Sequence, residues 1–416
     1  MKYLLLALST IVASATASFA QQTSVLFIGN SYVYTENLPA VLYNLALEGG
    51  DSIYYESSTP GGYTLEGHST NATTLSKIAS RDWDFVVIQE QSQKPSFSPA
   101  QVASETFPYA QILVDSINLN YECTEPVFFM TWGRRDGDQQ NCQFYPPLCT
   151  FEGMNGRLRE SYLQMGLDND ATVAPCGAAW YQMSLVNNTF WSGLYSGDGS
   201  HSSAWGGYLN ACIFYATILR KSPVGLEYYS NVGATDGPAL QQLAEDIVLD
   251  STSNWFIGHQ DVVSDADYSN SGLTAQFTAN ATNATVHFWD FGDGQTSSLE
   301  NPANTYGTEG DYTVTHIALS DCGSDTTVLF VEINPLSLES HEINEIELVI
   351  NENNIVLMNP TETTFQIEMF DLNGRLTFSE SLNSSSSINV GNKAPIGMNL
   401  IRISNGRVMK TLKVVN

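Results

Sequence analysis

Three side chains in this sequence could carry nucleophilic chemistry together. Ser31 closes the run Phe27-Ile28-Gly29-Asn30-Ser31, and Asp198 and His201 belong to Asp198-Gly199-Ser200-His201. A serine hydroxyl is a weak nucleophile at neutral pH until a base takes its proton. A carboxylate three residues ahead of an imidazole can hydrogen-bond one ring nitrogen, fix the tautomer and leave the other nitrogen to take that proton. His68 is the only other histidine before His259, so the choice of base is narrow. Taken alone, each motif also has a structural reading: Ser31 as the N-cap of a following helix, Asp198 and His201 as caps of the next one. Taken together, they point to acyl transfer through a covalent serine intermediate.

These residues need a scaffold that brings them to one place. From Gln21 to about Gly258 short β-branched or aromatic runs alternate with longer helical stretches, which predicts an α/β domain with a parallel sheet between helices. The expected strands are Ser24–Ile28, Ser52–Ser57, Phe85–Gln89, Pro126–Thr131 and Ala171–Ala174. Helical periodicity covers Leu38–Leu47, Ser98–Ile117, Asn155–Gly166, Ser203–Leu219 and Ala239–Leu249. Ser31 then sits at the C-terminal edge of the sheet, where open α/β sheets bind ligands. Beyond His259 the pattern becomes short alternating strands broken by Gly, Asn, Asp and Ser, which predicts two appended β-sandwich modules meeting near Pro335. Ser384–Ser387 reads as a loop.

Composition narrows the partners. The 416 residues carry 16 Lys+Arg against 44 Asp+Glu, a formal net charge of -28, and lack the basic clusters that nucleic acid or anionic membranes require. Lys2, the apolar run Leu4–Ala17, and Ser18 and Ala20 ahead of Gln21 read as a secretory leader over residues 1–20. No later segment is apolar enough to span a bilayer. The 6 cysteines suit an oxidising compartment: Cys142 and Cys149 are the best candidate pair, Cys176 and Cys212 read as buried and free, and Cys123 and Cys322 show no obvious partner. No Cys/His cluster has metal-ligand spacing.

The pair of blocks resembles the SGNH hydrolases, which carry Gly-Asp-Ser near the N-terminus and Asp-x-x-His near the end of the domain. Here they read Gly29-Asn30-Ser31 and Asp198-x-x-His201, in the same order. With Val25–Ser31, Asp84–Ser92 and Asp198–Tyr215 the likeness spans roughly Val25 to Leu219 and looks like an SGNH-related group in which Asn replaces the Asp of the first block. It implies a flavodoxin-like three-layer domain over residues 21–258 and ester hydrolysis without a metal or organic cofactor. It also implies an oxyanion hole from the N–H of Ser31, a glycine N–H after the second strand, and a side-chain amide after the next central strand. The first two map onto Ser31 and onto Gly61 or Gly62; the usual Gly-x-Asn-Asp is replaced by Gln89-Glu90-Gln91-Ser92, so Gln89 is the first choice for the amide and Gln91 the second. A glutamine that satisfies loop backbone groups is the competing reading.

Other residues carry two readings each. Arg134 and Arg135 suit a substrate carboxylate or a surface salt bridge; Trp180, Trp191 and Trp205 suit sugar stacking or the core. Glu90 should point away from the site or bind a neighbouring loop, and His68 is solvated or structural. Trp289-Asp290-Phe291-Gly292-Asp293-Gly294 with Tyr306 and Gly310-Asp311-Tyr312-Thr313-Val314 resembles a PKD domain over residues 259–335, with a tight turn at Gly292–Gly294 and Tyr312 and Val314 in the core. Calcium at Asp290 or Asp293 is the less favoured reading of that turn. Residues 336–416, with Asp371-Leu372-Asn373-Gly374-Arg375, Gly397-Met398-Asn399-Leu400 and a Lys-rich final run, resemble the C-terminal sorting domain of type IX secretion, which implies export to the cell surface by that machinery. The combined expectation is a secreted serine esterase acting on small acyl esters, foremost O-acetyl groups of polysaccharides. A glycan-binding or adhesion protein and a lipid or aryl esterase remain as alternatives.

Overall fold

The structure, a computed structural model, describes residues 22–334, 346–351, 354–371, 375–390, 398–405 and 409–415. The leader read over residues 1–20 and the junction at Pro335 lie outside them, as do Asn373, Gly374 and Gly397 of the C-terminal motif. The chain divides into two compact units, one ending at Gln260 and one beginning at Asp261.

The first unit is built on five parallel strands: β1 Thr23–Ile28, β2 Ile53–Ser58, β3 Phe85–Ile88, β4 Glu125–Phe129 and β5 Thr172–Ala174, in the order β2-β1-β3-β4-β5. This is the flavodoxin-like order, in which β1 and β3 flank the point where the connections change direction. Alternation along β1 divides its side chains between two cores. Val25 and Phe27 pack with Leu42, Leu45, Ile213 and Leu240, and Leu26 and Ile28 pack with Leu113, Ile117, Leu158 and Tyr162. The helices Leu38–Glu48, Ala204–Leu219 and Gly237–Val248 therefore cover one face, and Phe107–Asn120 and Phe151–Asp168 the other. A strand buried on both faces has no polar side, which explains the unbroken apolar run Val25–Ile28. Truncating Leu26 or Phe27 to Ala would cost about 2–5 kcal/mol.

The expected helix Ser98–Ile117 is two helices, Pro99–Glu105 and Phe107–Asn120, broken at Thr106 (φ -128°, ψ -56°). Pro108 has no N–H for the Ser104 carbonyl, and a proline fits only in a helix's first turn. Helices Leu65–Thr70, Ala72–Ile78, Cys176–Val186 and Asn188–Gly193 were not among those expected. Cys142 and Cys149 are bridged, with Cα atoms 4.7 Å apart, and Cys176 and Cys212 are buried free thiols. Cys123 and Cys322 are not free thiols, although the sequence suggests no partner for either. Among the described residues no helix is long and apolar enough to cross a membrane.

Among the described residues the second unit contains two pairs of antiparallel sheets, a three-stranded and a four-stranded sheet in each. Phe277, Trp289, Val314 and Val331 fill the first core, and Phe365, Ile367, Met369 and Ile401 the second. Tyr312 is only half-buried, its ring against Tyr306 with centroids 4.1 Å apart. Gly292 and Gly294 take φ of 74° and 89°, values open to glycine at little cost. Asp290 and Asp293 accept the N–H groups of Gly292 and Gln295 there, so these carboxylates serve the turn. Ser386 and Ser387 begin a strand rather than continuing the loop.

Candidate active site

At the carboxyl end of β1 the chain turns directly into the short helix Ser31–Tyr34. Asn30 caps it: its Oδ1 accepts the Tyr32 N–H at 3.1 Å. Ser31 is therefore the first helical residue and not the cap, which leaves its own N–H without an intrahelical acceptor. Gly29 must lack a side chain, because a Cβ there would lie 2.6 Å from Gln89 Oε1 and 2.8 Å from Val33 Cγ2.

The second block is a tight turn organised by Asp198. Its Oδ1 accepts the N–H groups of Ser200 and His201, both at 2.9 Å, and the Ser196 hydroxyl at 2.7 Å. Gly199 supplies a φ of 65°. The other oxygen, Oδ2, lies 2.6 Å from His201 Nδ1, and His201 Nε2 lies 2.8 Å from Ser31 Oγ. A carboxylate can only accept, so Nδ1 carries the proton and Nε2 is free to accept from the serine hydroxyl. Burial pushes the Asp198 carboxyl up, but the donors from His201, Ser196 and the turn backbone outweigh it and hold the group well below the usual carboxylate range. Ser203, not Asp198 or His201, caps the helix Ala204–Leu219. The three residues read from two distant motifs thus form a continuous hydrogen-bonded chain.

The glycine pair lies on the turn after β2. Tyr63 N–H donates to the Pro60 carbonyl at 3.3 Å, and Gly62 sits inside that turn with φ of 68°. Asn30 ties the turn to the nucleophile's helix, its Nδ2 donating to the Tyr63 carbonyl at 2.8 Å.

The two glutamines hydrogen-bond groups other than Ser31. Gln89 is fully buried; its Oε1 accepts the Asn30 N–H at 2.9 Å and its Nε2 donates to the Glu90 carbonyl. One partner needs an acceptor and the other a donor, so the amide has only this orientation. Gln91 is folded into its own loop, Oε1 accepting the Gln93 N–H at 2.8 Å and Nε2 donating to Gln93 Oε1 at 3.1 Å. Both glutamines hydrogen-bond loop groups, which is the competing reading of each.

Neighbouring residues have structural roles. His68 is buried, with Nε2 2.8 Å from the Gly29 carbonyl and Nδ1 2.8 Å from Thr74 Oγ1, and burial lowers its pKa, which suits a neutral ring. Glu90 binds the neighbouring loop, accepting the Leu65 N–H at 3.1 Å. Burial pushes its carboxyl up to about 7. Arg135 pairs with Asp136 at 3.0 Å and Arg134 approaches Asp138 at 3.5 Å, the salt-bridge reading of both. Trp180 is in the core, Trp191 packs on Phe151 and Trp205 stacks on Phe190. Sequence reasoning missed the roles of Tyr32 and Trp132, which both hydrogen-bond Ser200 beside His201; their only signal is that Tyr32 and Ser200 adjoin the nucleophile and the base.

Residues 260–334 match the PKD domain. No curated protein matches the chain. Among solved structures, a DUF4886 family protein from Bacteroides uniformis is similar at 17% identity and a TM-score of 0.47, over 55% of this chain and 95% of its own. A putative SGNH hydrolase from Slackia heliotrinireducens is similar at 25% identity and a TM-score of 0.39, over 47% of this chain and 99% of its own. An acetyl xylan esterase is similar at 14% identity and a TM-score of 0.37, over 46% of this chain and 98% of its own.

Proposed function

We propose that the chain is a serine esterase with Ser31 as nucleophile, His201 as general base and then acid, and Asp198 as the group that orients the ring. The observation that carries this reading is the unbroken sequence of contacts, Asp198 Oδ2 to His201 Nδ1 at 2.6 Å and His201 Nε2 to Ser31 Oγ at 2.8 Å. In acylation Ser31 Oγ bonds to the ester carbonyl carbon while its proton passes to Nε2. The same proton then goes to the departing alkoxide oxygen as the ester C–O bond breaks. In deacylation water attacks the acyl carbon, its proton goes to Nε2, and the carbon–Oγ bond breaks as that proton returns to Ser31.

The charge that develops on the carbonyl oxygen needs donors already in place, each contributing about 3 kcal/mol to barrier lowering. The Ser31 N–H and the N–H of Gly61 or Gly62 are assigned this role. The assignment rests on the unpaired first turn of the Ser31 helix and on the Asn30–Tyr63 tie that holds the glycine turn beside it.

We assign small acyl esters as substrates, foremost O-acetyl groups on polysaccharides outside the cell. The PKD match and the absence of basic clusters support an extracellular polymer rather than nucleic acid or an anionic membrane. We assign residues 336–416 to export by the type IX machinery, on the Asp371…Arg375 motif; deleting them should stop the protein reaching the cell surface, and unchanged surface display would refute it. Acetate release from acetylated xylan and pectin, set against nitrophenyl and long-chain lipid esters with Ser31→Ala as the blank, tests the substrate assignment. Preference for the lipid esters would overturn it. Glycan binding without turnover of any ester would favour a binding protein.

A further inference from the structure

The nucleophile and base are joined by a second link besides the Ser31–His201 contact. Tyr32, next to Ser31, places its hydroxyl 2.7 Å from the Ser200 hydroxyl, and Ser200 lies between Asp198 and His201. From the other side Trp132, just beyond β4, donates its indole N–H to the Ser200 carbonyl at 3.0 Å. The two anchors are rigid. Trp132 stacks between Tyr32 (centroids 4.9 Å) and Trp180 (4.0 Å, planes within 5°), and Trp180 is fixed by its own N–H to Asn210 at 2.9 Å. Tyr32, Trp132 and Trp180 are all buried. The Tyr32 ring also lies against the His201 ring, centroids 5.2 Å apart. Burial raises the phenol's pKa, so it keeps its proton.

The consequence belongs to the second half of the reaction. While the serine hydroxyl carries its proton, the Ser31–His201 bond itself aligns base and nucleophile. Once Ser31 is acylated that proton is gone and the bond with it. His201 must nevertheless hold its place to take a proton from water, and its turn is half exposed, with Asp198 and His201 both open to solvent. A misplacement of about 1 Å in such a group can cost on the order of a hundredfold in rate.

We propose that Tyr32, with Trp132 behind it, is a positioning residue that holds the Asp198–His201 turn in register in the acyl-enzyme through Ser200, and so serves deacylation more than acylation. This rests on the serine-esterase reading. With the full chain and p-nitrophenyl acetate, Tyr32→Phe removes one hydroxyl and leaves the ring stack. The expected result is a fall in kcat of about tenfold with kcat/KM nearly unchanged, so that KM falls in proportion, and a burst of one nitrophenol per active site followed by a slower steady state. Ser200→Ala should reproduce that pattern, and the double variant should lose no more than either alone. An unchanged kcat in Tyr32→Phe would overturn the proposal, as would an equal loss of kcat and kcat/KM, or a reduced burst amplitude with a lowered melting temperature. The parent reading fails separately, if the wild-type protein turns over no faster than Ser31→Ala.

Discussion

Asn30 donates a hydrogen bond to the carbonyl of Tyr63 at 2.8 Å while the oxygen of the same amide caps the helix that begins at Ser31. One side chain thus binds the nucleophile's turn to the glycine turn after β2, whereas an ionised aspartate, which only accepts, could make the cap but not the tie.

Asn30→Asp keeps the cap but sets a carboxylate oxygen against the Tyr63 carbonyl. A loss of about 1–3 kcal/mol in stability is expected from the unpaired and repelling oxygens. A roughly tenfold fall in kcat/KM should accompany it as the Gly61–Gly62 turn loosens, since each tenfold corresponds to about 1.4 kcal/mol. Thermal melts and initial rates would check both; a variant as stable and active as the parent would mean the Tyr63 contact contributes nothing.

Glu90 should make the protein measurably less stable as pH rises from acid to neutral. Its carboxyl titrates at about 7 in the folded chain against 4.5 in the unfolded one, because burial disfavours the charged form. Between those values the unfolded chain has already released a proton that the folded chain retains, so stability falls as pH rises from 4.5 through 7, by at most about 3 kcal/mol. Glu90→Gln removes that slope: it should melt like the parent at pH 5 and above it at pH 8. Parallel curves at both pH values would show that Glu90 ionises normally.

The PKD module carries the opposite dependence. His316 is buried between Ser264 and His287, its ring stacked on Trp289, and burial, then the neighbouring His287, lowers its pKa to about 4. A histidine depressed from 6.5 supports the fold above 6.5 and withdraws that support as pH falls toward 4, about 3 kcal/mol in all. Trp289 fluorescence in thermal melts between pH 4 and 7 should report a transition that drops steadily below about 6.5. A transition independent of pH over that range would exclude the buried neutral ring.

Much of this architecture is legible in local sequence. The apolar run Val25–Ile28 is followed by Gly29-Asn30-Ser31, and Asp198-x-x-His201 precedes a Ser-capped helix, so edge placement and spacing point to the three residues that the 2.8 Å and 2.6 Å contacts join. The β3 loop is not legible in the same way. Gln89 and Gln91 have the chemistry of an oxyanion donor, but which backbone groups meet an amide depends on the register of β1 against β3, which sets Asn30 N–H over Gln89 Oε1. The break at Thr106 was written in Pro108, whereas the Tyr32–Ser200 contact joins residues 168 apart and leaves no local trace.

The most direct test of the central claim is hydrolysis of p-nitrophenyl acetate by the full chain beside Ser31→Ala and His201→Ala. Both variants should fold as the parent does and lose at least about a thousandfold in kcat/KM. Parent-like rates in either variant, or no turnover by the parent above the two, would contradict Ser31 and His201 as nucleophile and base.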